Sequence, residues 1–518
     1  MPDNTQRTSV WVATAKVPEY PAIAKDEKAD VCVVGAGIAG LSTAYLLARE
    51  GKRVVVIDDG RIGSGQTERT TAHLANAIDD RFYEIERVHG EEGAHLAAES
   101  HTAAIDRIEM NVRDEKIDCD FTRLDGYLFL MEGEDPDKLQ LELKAANRAG
   151  LHDVKRLPKV PVDFYDFGPC LRFPRQGQFH PLKYLAGLAE ATTRMGGKIF
   201  CNTHVTSIQG GMPAQITAQN GPVVTADAVV VATNTPVNDR VAIHTKQAPY
   251  ISYVVGAAVP PGSIPKALYW DTGITESDIV PYHYVRLDSS AAAEILIIGG
   301  EDHKTGQADD AAERHGRLER WARERFPMIQ DIAFRWSGQV METVDGVAFI
   351  GRNPMDSENV FIATGDSGMG MTHGTIAGIL LTDLIVGREN HWESLYSPRR
   401  KSLRSIGEFT KENLNVAKQY GDWLTGGDVS SDAEIGRNSG GVIRRGLHKV
   451  AVYRDEAGTL HEFSATCPHL GCIVQWNPSE KSWDCPCHGS RFDSCGKVVN
   501  GPANRNLTPL AVHEEQHA

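Results

Sequence analysis

Residues 30–58 carry an unbroken apolar run, VCVV, then a glycine-rich turn, a helix-spaced stretch ending at Gly51 and a second apolar run, RVVVID. Continuous apolar strands belong to parallel sheets buried on both faces, so the chain is predicted to open as the βαβ unit of a doubly wound α/β fold. The apolar stretch 31–48 is barely long enough to span a bilayer and holds three glycines, which predicts a buried strand, turn and helix rather than a membrane segment. Residues 59–150 are rich in charge and read as amphipathic helices, with a strand over 124–131. A helix and strand over 182–200 lead to a second buried strand at 226–234. The short β-rich runs over 251–300 predict an antiparallel sheet inserted between the nucleotide-binding segments.

Over 398–424 the apolar residues Leu403, Ile406, Phe409, Leu414, Val416, Tyr420 and Trp423 recur at mostly helical spacing, which predicts an amphipathic connector. Its basic residues Arg399, Arg400, Lys401 and Arg404 suit a membrane surface, but an apolar face between two domains is the better use. Residues 426–441 have linker composition, and short strands follow. The expected division is an extension over 1–28, a large domain over 29–397, the connector over 398–427 and a β domain over 428–518. Within the large domain, nucleotide-binding segments are expected at 29–85, 176–240 and 340–397, with a substrate subdomain at 86–175 and 241–339.

A length of 518 residues suits two to four domains, and a net charge of −15 argues against a nucleic-acid partner. No apolar run follows a basic start at the amino terminus, so a cytoplasmic location is expected. Five of the nine cysteines fall within 467–495, which makes their clustering the chemical signal.

The turn GAGIAG places Gly35, Gly37 and Gly40 between strand and helix, and Asp58 closes the next strand. Glycines there let backbone approach a pyrophosphate, the helix start offers N–H donors, and the acid accepts ribose hydroxyls. Three further stretches follow, GSGQTERTTAHL from Gly63, VVVATN from Val229 and NVFIATGDSGMGMTHG from Asn359, and with the glycine turn they make residues 30–389 resemble the FAD-dependent D-amino-acid oxidase and glycine oxidase superfamily. The first is similar to its segment along the flavin, the second to its second nucleotide strand, and the third to its carboxy-terminal flavin motif. The resemblance implies FAD contacts from Asp59, Thr71, Ala72, Thr233, Gly365, Gly368, Met369, Gly370 and Met371. His373 and His180 are the catalytic candidates, and His73 is a weak candidate for covalent attachment. The family's G-x-R-P-x-T-x-D run, whose arginine pairs a substrate carboxylate, is here GQVMETVD, with Val340 and Met341 in place of Arg-Pro. That departure favours an amine over a simple amino acid, unless Arg335, Arg286 or Arg123 substitutes.

In the β domain, Cys467, His469, Cys485 and His488 give C-x-H, fifteen residues, then C-x-x-H, the set that holds a [2Fe–2S] cluster with cysteines on one iron and histidines on the other. Zinc is the alternative for two cysteines and two histidines, but the C-x-H pairing fits its spacing poorly. Residues 440–513 resemble the Rieske family. This implies a disulfide between Cys472 and Cys487, a proline loop at GPANRNL, a cluster-facing hydroxyl at Ser490 and, because Phe492 stands where a tyrosine often donates to sulfur, a lowered potential. A Rieske oxygenase would need a separate iron site, and the nearest set, Glu86, His89 and His95, is badly spaced on one helix.

The expected fold is thus an FAD-binding α/β domain with an inserted antiparallel substrate sheet and an all-β Rieske domain. The expected function is an FAD-dependent oxidoreductase that oxidises an amine or amino-acid-like substrate and exports single electrons to an acceptor such as a ferredoxin or quinone, with no integral membrane segment. The alternatives are a flavoenzyme fed in reverse by the cluster, and a redox sensor or carrier without a small substrate.

Overall fold

The computed structural model describes residues 8–238, 243–273, 282–289, 293–400, 406–424 and 426–510. Lys401, Leu403 and Arg404 of the connector, and the two chain ends at 1–7 and 511–518, lie outside these.

The opening βαβ unit forms as its apolar pattern requires. Glu27–Val34 lies between Val223–Val231 and Val54–Ile57, parallel to both. The sheet runs Phe349–Arg352, Val360–Thr364, Val223–Val231, Glu27–Val34, Val54–Ile57, Lys198–Phe200. Helix Ile38–Arg49 follows the glycine turn, and Gly40 makes it fit: a Cβ there would lie 1.8 Å from the Gly35 carbonyl oxygen. Helix Gly370–Val386 crosses close beside it at Gly374 and Gly378, where a Cβ would meet Ile38 and Ser42. Strands and turn therefore aim both helix starts at one cavity.

The second sheet runs Ile332–Thr343, Gln247–Val259, Glu294–Lys304, His283–Asp288, Leu268–Asp271, Thr122–Phe129, Cys170–Gln178, His73–Leu74. It is antiparallel as expected except where Leu268–Asp271 pairs parallel with Thr122–Phe129. The expected helices of the first half include one long element, Phe82–Glu115, bent where Gly90 leaves helical geometry at φ 77°. Glu86, His89 and His95 on it do not converge. Glu86 pairs with Arg148, while His89 and His95 donate to the carbonyls of Asp345 and Ala149.

The described part of the extension, from residue 8 on, packs into the core. Trp11, on helix Val10–Thr14, is fully buried and donates to the Thr70 carbonyl at 2.6 Å. At the other end, Arg400 is buried against Asp345, with its Nη2 2.6 Å from Oδ1, and lies 3.9 Å above the Phe349 ring. It is a clamp that anchors the connector, not a membrane contact. The connector helix Ile406–Gln419 continues into Tyr420–Leu424, and Tyr420 and Trp423 donate to the carbonyls of Leu470 and Gly471. Among the described residues no helix is long and apolar enough to cross a membrane.

The carboxy-terminal domain has a three-stranded sheet, Ser439–Arg445, His448–Arg454 and Leu460–Ser464, and a four-stranded one, Gln475–Asn477, Ser482–Asp484, Arg491–Asp493 and Val498–Asn500. Trp483 and Phe492 are fully buried between them.

Candidate functional site

The two helix starts open on a cavity of about 1420 Å³, above the roughly 300–1,000 Å³ usual for small-ligand sites and suited to a dinucleotide with a substrate beside it. Gly35, Gly37, Asp58, Asp59, Thr71, Thr233, Gly365, Gly368, Met369, Gly370 and Met371 line it. Gly35 has φ 108°, and a Cβ there would lie 2.3 Å from the Ala232 carbonyl oxygen, so only glycine lets these two strand ends meet under the ligand. Asp58 accepts from the amides of Ala36 and Gly60 at 2.6 and 2.8 Å, which fixes the turn that faces the ribose position. The cradle therefore fits FAD. Two expected contacts lie behind the wall: Gly40 packs helix on strand, and Ala72 turns its carbonyl to Arg286 at 2.9 Å.

His180 is not at the cavity. It caps helix Pro181–Arg194, accepting from the Lys183 amide, bonds to Thr14 and stands edge-on to Trp11. A histidine before a proline at a helix start reads the same whether it caps or catalyses. His373 does line the cavity, yet burial lowers its pKa to about 4, and its Nδ1 lies 2.8 Å from the Asp366 carbonyl. A carbonyl can only accept, so the proton sits on Nδ1 and Nε2 offers a lone pair rather than a donor. His73 also faces the cavity, bonded to Thr71.

The second-sheet end of the cavity is acidic. Asp79, Asp80, Asp302, Glu342 and Asp366 all line it. Burial, reinforced for Asp80 and Asp302 by neighbouring carboxylates, pushes these two up to about 7 and Asp366 to about 6. Glu342 is raised well above its ordinary value by burial and then by Asp80, Asp366, Asp79 and Asp302. Val340, at the position of the family's clamp arginine, and Glu342 lie two apart on one strand and so share a face. The three substitute arginines are engaged elsewhere: Arg286 with the Ala72 and Phe179 carbonyls and Asp288, Arg335 with Glu319, and Arg123 with Glu109 and Asp106. Among the arginines at this end, Arg81 is spent on the carbonyls of Asp79 and Asp271.

In the β domain, Cys472 and Cys487 form the expected disulfide, joining the two loops that carry the other four residues. The sulfurs of Cys472, Cys485 and Cys487 lie within 4.8 Å of one another, but the bonded pair cannot act as thiolates, which leaves Cys485 with Cys467. The Cys467 thiol is lowered by its bond with Cys485 and by the His469 and Leu470 amides. The rings of His469 and His488 stand 5.1 Å apart, nearly perpendicular. Ser490 Oγ accepts from the Ala503 amide of the proline loop at 3.0 Å, which leaves its own proton for a sulfur. Two sulfurs and two imidazoles on cross-linked loops fit a Rieske cluster.

Nothing in the sequence announced how the domains dock. His244 of the large domain inserts beside both candidate ligand histidines, 4.8 Å from His469 and 5.9 Å from His488 between ring centres. Gln339, on the cavity wall, donates to the Gly489 carbonyl at 2.9 Å. A Cβ at Gly489 would lie 2.5 Å from Pro249, so glycine permits this contact. Glu480 accepts from Arg69 at 2.9 Å and from Ser337 at 2.7 Å. Burial opposes its ionisation, but Arg69 and Arg491 outweigh that and hold its pKa at about 2. A depressed carboxyl stabilises above its unfolded pKa and loses that contribution as pH falls through the folded value. Between roughly pH 4.5 and 2 the docked state is expected to lose about 3 kcal/mol, and a Glu480→Gln variant to lack that part of the acid transition in calorimetry.

A family model for FAD dependent oxidoreductases matches residues 30–384, and one for the Rieske [2Fe-2S] domain matches 427–512. The Bacillus subtilis (strain 168) protein YhfW, described as a Rieske 2Fe-2S iron-sulfur protein, is 31% identical over 96% of this chain and 97% of its own. The gamma-glutamylputrescine oxidoreductase of Escherichia coli (strain K12) is 27% identical over 75% of this chain and 92% of its own. The crystal structure of glycine oxidase from Geobacillus kaustophilus, 19% identical, shares the fold with a TM-score of 0.60 over 72% of this chain and 99% of its own. The chain thus belongs to the DAO family of FAD-dependent oxidoreductases and carries a Rieske [2Fe–2S] domain at its carboxy terminus.

Proposed function

We propose that this enzyme oxidises a cationic amine at the acidic end of the cavity and passes the electrons singly through the Rieske domain to an external one-electron acceptor. The observation that carries the reading is the inverted polarity of the clamp strand. Val340 stands where the family's arginine would meet a carboxylate, and Glu342 presents a carboxyl from the same face. Buried carboxyls that raise one another's pKa gain most from an entering ammonium group, which restores their ionised form. The E. coli relative, named for a putrescine derivative, points the same way.

FAD, when bound, accepts the electron pair from the substrate carbon, and the [2Fe–2S] cluster carries one electron at a time. The chain's own residues supply orientation and proton control. An ammonium must lose a proton before hydride can leave the neighbouring carbon. Asp302 is placed to take it: its Oδ1 is buried without a hydrogen-bond partner, and a pKa of about 7 is near the best value for a base at neutral pH. Cys467 and Cys485 are proposed to hold one iron, and His469 and His488 the other. His244 and Gln339 then join the ligand loop to the flavin side within one chain, which supports transfer without a second subunit.

Anaerobic mixing with a panel of amines and amino acids tests this. Flavin bleaching by amines, followed by the reduced Rieske EPR signal in the same sample, is the expected result; bleaching by no donor would overturn it. A thermal-shift series adds a second check. As pH rises from about 4 to 7, the unfolded state ionises these carboxyls before the folded state does, so they cost stability over that window. A bound amine relieves that cost, and its stabilisation is expected to be larger at about pH 8 than at about pH 5.5.

A further inference from the structure

The wall of the FAD cavity is not built by the flavin domain alone. Lys497, Val498, Val499, Asn500, Gly501, Ala503 and Asn504 of the Rieske domain line it together with Asp59, Gly65, Gln66 and His204. Asp59 follows Asp58 directly, and the amide of Thr203, next to His204, donates to the Asp58 carbonyl at 2.9 Å, so the segment lies over the ribose end of the dinucleotide position. His204 spans the seam, with Nδ1 3.1 Å from Asp59 and Nε2 2.9 Å from the Asn504 carbonyl. Asn500 bonds to Gln339 and approaches Gln66 at 3.4 Å, both cavity residues. Gly501 sits so near the flavin domain that a Cβ would lie 3.2 Å from Val237. Farther off, Glu480 grips Arg69, whose own segment forms the cavity floor.

We propose that the Rieske domain is a component of the FAD site: segment 497–504 is its lid, and FAD retention and domain docking are one coupled equilibrium. The inference needs only FAD in the cavity and is independent of the substrate. If the lid must lift for FAD to leave, the release rate scales with the undocked fraction. Linkage then makes the effect reciprocal: whatever FAD gains from a docked domain, docking gains from FAD.

The full-length protein tests both directions. In one arm, FAD release after dilution is followed by the fluorescence of the freed flavin in wild type and in an Asn500→Ala, Glu480→Gln double variant. Release is expected to be roughly tenfold faster in the variant, within the usual range of coupling factors, with the Rieske EPR signal unchanged as proof that the domain is folded. In the other arm, hydrogen exchange of peptide 477–484 is measured with and without FAD in wild type. This peptide meets the flavin domain through Arg69 and Ser337 and contributes nothing to the cavity. Removing FAD is expected to deprotect it. Equal exchange with and without FAD overturns the proposal whatever the variant does, and so does unchanged FAD release in the variant.

Discussion

Replacing Cys467 with serine is expected to leave flavin bleaching by an amine within about twofold of wild type while cutting turnover with a one-electron acceptor by roughly tenfold or more. Cys467 is buried in the β domain and does not line the flavin cavity, so its loss should not reach the amine. Stopped-flow spectra read the first half, and steady-state reduction of an artificial acceptor the second. The split between them is the diagnostic: a change that merely unfolded the chain would lower both. Equal turnover of variant and wild type would show that electrons leave the flavin by another route.

Glu342→Gln is expected to cost roughly 10–100-fold in kcat/KM for amines, the usual effect of removing one partner of a buried charge-assisted hydrogen bond. The side chain keeps its shape and loses only its charge, so the fold should persist. It should even tighten, because Glu342 is raised by four neighbouring carboxyls that its ionised form repels. Asp80 and Asp302 are held at about 7 by burial and by Asp79 rather than by Glu342, so the acid limb of the pH profile should stay in place while its height falls. A variant that kept full amine activity would place the ammonium elsewhere.

How much of this was legible in the sequence depended on distance along the chain. The dinucleotide turn and the four candidate cluster ligands lie in short stretches whose spacing is itself the chemistry, and the disulfide was implied by the resemblance those stretches carry. The acidic end is assembled from Asp79, Asp80, Asp302, Glu342 and Asp366, which only the crossing of two sheets brings together. One trace of it was readable: the missing arginine at Val340 made an amine the expected substrate. His244, Gln339 and Glu480 gave no signal, because a residue at a domain seam has no local pattern. His180 misled for the opposite reason, since its cap is a local motif that resembles a catalytic one.

The connector is fixed at both ends, by Arg400 on the flavin domain and by Tyr420 and Trp423 on the Rieske loop. Its fourteen-residue helix spans about 21 Å. A partner on so short a tether meets its dock at an effective concentration on the order of millimolar. The seam combines polar contacts, such as Glu480 with Arg69 and Asn504 with His204, with close packing of Gly489 on Pro249. Tethering raises the occupancy of that docked arrangement without adding a contact to it.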